Sequence, residues 1–227
     1  MSINEWPLED RPREKLLAQG ALTLSDAELL AILIGSGTKG HSAVDVARDV
    51  LIKSGGLRSL LNRNAQDLPY LKGIGKATFA RIQAALELSR RYLSEGMKRD
   101  KVLDSPIATR LFLQATLRDF ENEVFGVLML DSQHRVITFE VLFQGTVDQS
   151  VVYPREIIKK ILKYNATAVI IVHNHPSGIP TPSESDVLLT KRLYHILCAI
   201  DVKLLDHLIV GDNTVFSLVE QGIWSPA

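Results

Sequence analysis

The sequence predicts a two-domain α/β protein, with a small all-helical N-terminal domain over residues 1–95 and a mixed α/β domain over residues 106–227. Two observations favour this division: apolar residues recur at helical spacing in the first part, and strand-like apolar runs occur only in the second. A third is the charged stretch SEGMKRDKVLDSP between them, which is typical of a linker and which we place at residues 96–105. At 227 residues the chain is long enough for two small domains.

Helix start and stop signals support the all-helical first domain. The segment SDAELLAILIGSG begins with Ser25, a residue type that caps helices, and ends in glycines. The segment SAVDVARDVLIKSGG repeats that order, and FARIQAALELSRRYL is a third amphipathic run. We therefore expect three helices in this part of the chain.

The second domain mixes predicted helices with predicted strands. A helix is expected in PIATRLFLQATLRDF, with Pro106 in its first turn, and two more in PREIIKKILKYNA and SESDVLLTKRLYHILCAI. The strand candidates, of which the last is the weakest, are residues 124–131, 135–145, 168–175, 203–211 and 214–220. Such a mixture predicts a sheet covered by helices.

Composition excludes several classes of protein. No apolar run approaches the roughly 18 to 20 residues that a membrane span needs, and the opening MSINEWPLEDRPREK lacks the apolar core of a secretory signal. A single cysteine, Cys198, excludes an internal disulfide framework and fits a reducing compartment. We predict a cytoplasmic protein without membrane contact, and a buried Cys198 thiol because its helical neighbours are apolar.

Charge is unevenly distributed although the formal net charge is zero. Residues 53–99 carry ten Lys and Arg against three acids, whereas the chain from Asp100 onwards carries eleven against fifteen. Any contact with nucleic acid is therefore expected in the first hundred residues.

A glycine turn in this basic region suggests how such a contact could form. The segment LPYLKGIGKATFARIQAALEL resembles a helix-hairpin-helix, in which Gly73 and Gly75 allow a tight turn and expose backbone N–H groups to a DNA phosphate. The basic residues near the turn are Lys72, Lys76 and Arg81. The pattern predicts salt-dependent, non-sequence-specific DNA contact through residues 68–90. An ordinary helical hairpin, whose glycines serve only packing and turn geometry, explains it equally.

The stretch HNHPSGIPTPSESD has the residue types of a metal site. His173 and His175 end a predicted strand two positions apart, so both imidazoles face the same side. Pro176 ends the strand, and Asp186, in the first turn of the next helix, can return toward the imidazoles. Two histidines and one carboxylate leave a fourth position for water, as in catalytic zinc sites. The letters SESD also fit a plain helix cap, with Ser183 as N-cap and no metal.

The spacing of these residues resembles a known signature. The JAMM (MPN) metalloprotease-like superfamily has the signature His-x-His, then seven residues, Ser, two residues and Asp. This chain resembles it at His173, His175, Ser183 and Asp186. Within this superfamily the chain is similar, over nearly its whole length, to the bacterial RadC family. The similarity rests on the segments HNHPSG, LLDHLIVG, DRPREKLL and VVYPREI. The resemblance implies a JAMM (MPN) metal-binding domain in which the histidines and the aspartate hold one zinc ion. It also implies that the serine supports the oxyanion and that an upstream glutamate activates water.

Three glutamates compete for the role of general base. In the superfamily two residues separate this glutamate from a glycine, after which apolar residues follow, and EVFGVLML fits with Glu123 and Gly126. Glu140 is otherwise explained as a solvent-facing residue of an edge strand, and Glu156 as an acid in the first turn of a helix. We assign the role to Glu123, with Glu140 as its rival.

The predicted function is a zinc-dependent hydrolase of the JAMM type, a metallopeptidase or isopeptidase acting on an unknown peptide or protein. The RadC resemblance adds a link to DNA repair. The alternative is a non-sequence-specific DNA-associated protein whose zinc is structural or serves a nuclease. Structural zinc sites are normally closed by four ligands, often cysteines, and this chain has one cysteine, so the enzyme is favoured. His207, next to Asp206, is predicted to lie behind the ligands, or to form its hydrogen bonds within the core, rather than to act as a fourth ligand.

Overall fold

A computed structural model describes residues 3–99, 106–145 and 152–226. The chain divides into two compact units, Met1–Ser89 and Arg90–Ala227. Residues 96–99, the first part of the expected linker, are helical, and residues 100–105 lie outside the described residues. Among the helices of the described part, none has both the length and the apolar character needed to cross a membrane.

The N-terminal unit is helical, as the sequence predicts. Its helices are α1 Pro12–Gln19, α2 Asp26–Ile34, α3 Ala43–Ser54, α4 Leu57–Leu61 and the start of α5 Lys76–Arg99. Short 3-10 turns occupy Ile3–Glu5, Leu8–Asp10, Ala21–Thr23 and Ala65–Tyr70. Helices α2 and α3 each begin with a serine N-cap in a reciprocal capping box, which satisfies backbone N–H groups that the helix itself cannot pair.

The C-terminal unit is a sheet with helices on both faces, which confirms the predicted mixed α/β fold. Its helices are α6 Pro106–Leu117, α7 Pro154–Tyr164 and α8 Glu184–Cys198. Its strands are β1 Val124–Leu130, β2 Val136–Gln144, β3 Ala168–Asn174, β4 Lys203–Val210 and β5 Val215–Ser217. All five predicted strands are present, and the weakest candidate is the shortest strand.

The sheet has the order β2-β1-β3-β4-β5, with β3 and β4 parallel and the other neighbours antiparallel. Strands β1 and β3 lie in the centre, and all their residues are buried. Within β3 the side chains alternate between two cores. Val169 and Ile171 pack in one core with residues of α7 and α8, and Ile170 and Val172 in the other with residues of α6. By this alternation His173 points toward α8, whereas Asn174 points to the opposite face.

Candidate metal centre

Three ligand-type side chains meet where β3 ends and α8 begins. The Nε2 atoms of His173 and His175 are 3.0 Å apart, and Asp186 Oδ1 lies 3.3 Å from His173 Nε2. Asp186 Oδ2 lies 3.7 Å from His175 Nε2. The structure thus brings the predicted ligands His173, His175 and Asp186 into one cluster that could hold a metal ion.

The spacing of the three donors fits a tetrahedral ion. Nitrogen and oxygen ligands that surround such an ion at about 2.0–2.1 Å lie roughly 3.3–3.4 Å from one another. The two Nε2 atoms, 3.0 Å apart, and the pair of His173 Nε2 and Asp186 Oδ1, 3.3 Å apart, lie close to that value. The separation of 3.7 Å joins His175 Nε2 to the other carboxylate oxygen, Oδ2. One ligand atom from each side chain lies within 4.8 Å of the other two, so the cluster has the size of an ion-binding site.

Asp186 serves as helix cap and candidate ligand at once. Its Oδ2 accepts hydrogen bonds from the backbone N–H and the hydroxyl of Ser183, each at 2.7 Å, in the capping box that starts α8. Its Oδ1 faces His173. Burial alone would raise the pKa of Asp186, but hydrogen bonding to His175 and Ser183 holds it well below its usual value. The helix-cap and metal-ligand interpretations of SESD are thus compatible.

His175 is oriented by the loop that follows it. Its Nδ1 lies 2.8 Å from the carbonyl oxygen of Ile179, which can only accept, so Nδ1 carries a hydrogen. In the neutral ring Nε2 then has the lone pair that faces the cluster. The carboxylate of Asp186 raises the pKa of His175. A cation, whether a proton or a metal ion, is therefore favoured between these side chains.

His173 is backed by a second buried histidine. Its Nδ1 lies 2.8 Å from Nε2 of His207, whose Nδ1 is 2.6 Å from Oγ1 of Thr190. All three side chains are buried. Burial lowers the pKa of His173 to about 4 and that of His207 well below its usual value, so both rings are neutral at neutral pH. His207 lies behind the ligands, where the sequence interpretation put it.

Glu123 is the candidate glutamate whose pKa is influenced by the charges of the cluster. It directly precedes β1, where Phe125 pairs with His173. Burial, and then the negative charge of Asp186, raise the pKa of Glu123, while His175 opposes the shift. A carboxyl with a raised pKa beside candidate ligands is suited to accept and return a proton.

Asn174 holds the segment that carries Glu123. Its Oδ1 accepts a hydrogen bond of 2.7 Å from the Val124 backbone N–H, and its Nδ2 donates to the carbonyl oxygens of Phe120 and Asn122 at 3.3 Å each. Asn174 is fully buried. The middle residue of HNH thus supports the loop before β1 from the face opposite the histidines. Sequence reasoning missed this residue, because only the sheet register shows which backbone groups it meets.

The rival glutamates have other partners. Glu140 forms a short hydrogen bond with the Tyr164 hydroxyl and an ion pair with Lys160 at 2.6 Å, and these interactions lower its pKa. Glu156 pairs with Lys159 and Arg155, each at 3.0 Å. Both glutamates therefore interact with residues of α7 rather than with the cluster.

The Ser183 hydroxyl is engaged with Asp186. It donates its only hydrogen to Oδ2 of Asp186 and accepts a hydrogen bond from the Asp186 backbone N–H at 3.2 Å. In this arrangement Ser183 orients the carboxylate. Supporting an oxyanion, the role that the resemblance implies, would require its hydrogen to be redirected, and that role stays a prediction.

In the glycine turn of the N-terminal unit, packing requires a glycine at Gly73 but not at Gly75. Gly73 has φ +93°, and a Cβ there would lie 2.6 Å from Cγ1 of Val46. A Cβ on Gly75 would meet no described atom within 4 Å. Lys72 and Lys76 are exposed. Arg81, which the sequence analysis grouped with these lysines, donates instead to the carbonyl oxygen of Ile34 and to Thr78 Oγ1.

Cys198 contradicts the sequence prediction. The thiol was expected to be buried, but Cys198 is exposed as the last residue of α8. Its neighbour Leu197 takes the buried position instead. The apolar residues around Cys198 did point to a nearby core, but the helix turns Cys198 away from it.

Comparison with known proteins agrees with the geometry. A family model described as RadC-like JAB domain matches residues 103–223, which include the whole cluster. The chain belongs to the RadC family. A second model, described as UPF0758 N-terminal, matches residues 3–80 of this RadC-family chain. The predicted resemblance is confirmed, and the C-terminal unit is a JAMM-type (JAB) domain.

Curated RadC-family relatives extend over nearly the full chain. A UPF0758 protein of Azotobacter vinelandii is 54% identical over 222 residues, covering 98% of this chain and 99% of the relative. That of Stutzerimonas stutzeri is 53% identical over 222 residues, with the same coverage. That of Acidithiobacillus ferrooxidans is 51% identical over 224 residues, covering 99% and 100%. These names state no activity.

Proposed function

We propose that this RadC-family protein is a zinc-dependent hydrolase that cleaves an amide or isopeptide bond in a peptide or protein. The observation that carries the proposal is the convergence of His173, His175 and Asp186, with separations of 3.0 to 3.7 Å. The donor set of two imidazoles and one carboxylate suits zinc and is short of the four protein ligands of a structural site. A half-buried carboxyl beside it, Glu123, supplies the group that hydrolysis needs in addition.

A zinc ion held by these three side chains would supply Lewis-acid chemistry and a lowered pKa for water. The residues of the chain do the remaining work. Glu123, whose pKa is raised by burial and by Asp186, accepts a proton from water and returns it to the leaving amine. A raised pKa favours this exchange, because the group then holds and releases its proton nearer to neutral pH.

Ser183 acts on the site through Asp186. Its two hydrogen bonds to Oδ2 fix the carboxylate, so that Oδ1 faces the histidines without rotating. We further propose that the hydroxyl supports the oxyanion when its hydrogen turns toward a bound substrate. The substrate's bond type rests on the JAMM-type domain, and a cytoplasmic location stays a prediction from composition.

The proposal is tested first by metal content. Protein purified without chelator or metal-affinity resin is analysed by mass spectrometry for zinc, beside Asp186→Ala and Asp186→Asn. We expect about one zinc per wild-type chain and loss in both variants. The asparagine variant keeps an oxygen that can cap α8, so loss of zinc in it reflects the missing charge rather than a frayed helix. Wild-type protein that takes up no added zinc would refute the proposal.

The general base is tested separately. Glu123→Gln should keep zinc and lose hydrolysis of a peptide or isopeptide library, whereas Glu140→Gln should retain both. The opposite result would transfer the role to Glu140. The glutamine variant has nearly the same shape as glutamate, so an unchanged zinc content shows that the site is intact.

We also propose a second function, non-specific DNA contact through residues 68–90. This contact does not depend on the zinc site and is compatible with the hydrolase proposal. Supporting observations are the exposed Lys72 and Lys76 and the open space at Gly75, where packing does not require a glycine. Fluorescence anisotropy with a random-sequence duplex tests it. Replacing both lysines with alanine should make the negative slope of log affinity against log salt less steep by about 1.8. Affinity for one sequence that is independent of salt would contradict it.

A further inference from the structure

A chain of buried hydrogen bonds connects the backbone of one candidate ligand to the ring of another. It begins at the Asp186 carbonyl oxygen, which lies 2.6 Å from Thr190 Oγ1. It continues from Thr190 Oγ1 to His207 Nδ1 at 2.6 Å, and from His207 Nε2 to His173 Nδ1 at 2.8 Å. Thr190 and His207 have no accessible surface, and His173 has 1%. These three side chains are therefore screened from bulk water.

The direction of every hydrogen in the chain follows from its first member. A carbonyl oxygen cannot donate, so the Thr190 hydroxyl spends its single hydrogen on Asp186. The contact between Thr190 and His207 then requires the hydrogen to come from Nδ1 of His207. A neutral His207 is left with a lone pair on Nε2, so the hydrogen between the two rings belongs to Nδ1 of His173.

The last step of this sequence reaches the metal site. With its hydrogen on Nδ1, a neutral His173 has its lone pair on Nε2, the atom that faces His175 and Asp186. Reversing the chain would put a hydrogen on Nε2 and direct it at the place where an ion would lie. The tautomer of His173 is therefore set by a hydroxyl two side chains away.

We propose that Thr190 and His207 are positioning residues of the metal centre, which select the metal-binding tautomer of His173. The role in zinc binding rests on the proposed function, whereas the tautomer itself is a property of the metal-free chain. Groups that fix a ligating imidazole in this way typically change metal affinity 10- to 100-fold when they are removed. Neither residue contacts the cluster centre, so neither is a ligand.

The experiment compares Thr190→Val, which replaces the hydroxyl with a methyl group of similar size, with Thr190→Ser, which keeps the hydroxyl. Zinc affinity is measured by competition with a fluorescent zinc chelator. The tautomer of His173 in metal-free protein is read from long-range proton–nitrogen NMR correlations, assigned with a His173→Gln variant. Far-UV circular dichroism and thermal unfolding verify that both threonine variants fold.

We expect the serine variant to keep wild-type affinity and the Nδ1–H form of His173. The valine variant should bind zinc at least tenfold more weakly and should populate the Nε2–H form. Equal zinc affinity of the two variants, or an unchanged tautomer in the valine variant, overturns the proposal. If the valine variant does not fold, His207→Gln and His207→Leu replace it as the test. The glutamine amide offers one acceptor and one donor, as the neutral imidazole does. His207→Gln should therefore retain zinc affinity that His207→Leu loses.

The outcomes separate this inference from the proposed function. If wild-type protein binds no zinc, the hydrolase proposal fails, and the NMR measurement on metal-free protein still decides whether Thr190 sets the tautomer. If wild-type protein binds zinc and the valine variant matches it in affinity and tautomer, the positioning role fails while the zinc site stands. A structural role alone would lower the stability of the valine variant without moving the hydrogen between the nitrogens of His173.

Discussion

Replacement of Asn174 is expected to destabilise the C-terminal unit by about 3 kcal/mol. The alanine variant loses the acceptor for the Val124 N–H at 2.7 Å and the donor to two carbonyl oxygens at 3.3 Å each. Val124 is fully buried, so its N–H finds no water in exchange. A buried polar group left unpaired costs about 1–3 kcal/mol, and each ordinary hydrogen bond contributes about 1 kcal/mol. The Val124 N–H therefore dominates the loss, and the two longer bonds add the rest.

The assay is urea unfolding followed by the fluorescence of Trp224. This tryptophan is buried in the C-terminal unit and contacts Tyr194 edge-on, with ring centroids 5.6 Å apart. A Trp6→Phe background removes the signal of the N-terminal unit. With a slope of about 2 kcal/mol per M urea, a loss of about 3 kcal/mol lowers the midpoint by about 1.5 M.

The matched control for Asn174 is Asn122→Ala. Asn122 is exposed and contributes only its backbone carbonyl to the network, so the variant should change stability by less than about 0.5 kcal/mol. A loss below about 1 kcal/mol for Asn174→Ala, or an equal loss for both variants, would refute the reasoning that Asn174 supports the loop before β1.

Three further predictions concern the rest of the chain. Gly73→Ala should destabilise the N-terminal unit by about 1–3 kcal/mol, because its Cβ would lie 2.6 Å from Val46 at φ +93°. Gly75→Ala should change the stability by less than about 1 kcal/mol. Thermal unfolding measures both, and a larger loss for Gly75→Ala than for Gly73→Ala would contradict the packing argument. Burial alone would raise the pKa of Glu28, but bonds from Ser25 and Lys15 lower it to about 2, so its stabilisation is present above pH 4.5 and is lost as the pH falls from 4.5 to about 2. Glu28→Gln should therefore flatten the acid-unfolding profile in that window, and an unchanged profile would oppose the assignment. The exposed cysteine should react stoichiometrically with a thiol reagent without denaturant; a thiol that reacts only after unfolding would contradict its exposure.

Local patterns were sufficient to predict most of the fold. The Ser25 and Ser42 caps and the apolar periodicity predicted α2, α3 and α5, because helix starts depend on neighbours in sequence. The shorter helices α1 and α4 were not among the predicted runs. The first four strand candidates were placed within one residue of their observed ends, and the fifth extended three residues past the end of β5. Cys198 was assigned wrongly because its apolar neighbours do not say on which side of the last helical turn it falls.

The site was only partly predictable, because several of its contacts join strands that are far apart in sequence. The spacing from His173 to Asp186 predicted which side chains would meet, since one strand, one loop and one helix contain them all. The partners of Glu140 on α7, which favour Glu123 as the candidate base, could not be read from local sequence patterns. The contact between His173 and His207 depends on the parallel pairing of β3 and β4, which no local pattern reveals.

The hydrogen bonds that hold the three candidate ligands also bear on the entropy of ion binding. Ser183 fixes Asp186, the Ile179 carbonyl fixes His175, and His207 fixes His173, all without help from an ion. Because the folded chain already holds these side chains, an ion that binds would not have to order them. The conformational entropy of ordering them is lost when the chain folds and would not be subtracted from the free energy of ion binding.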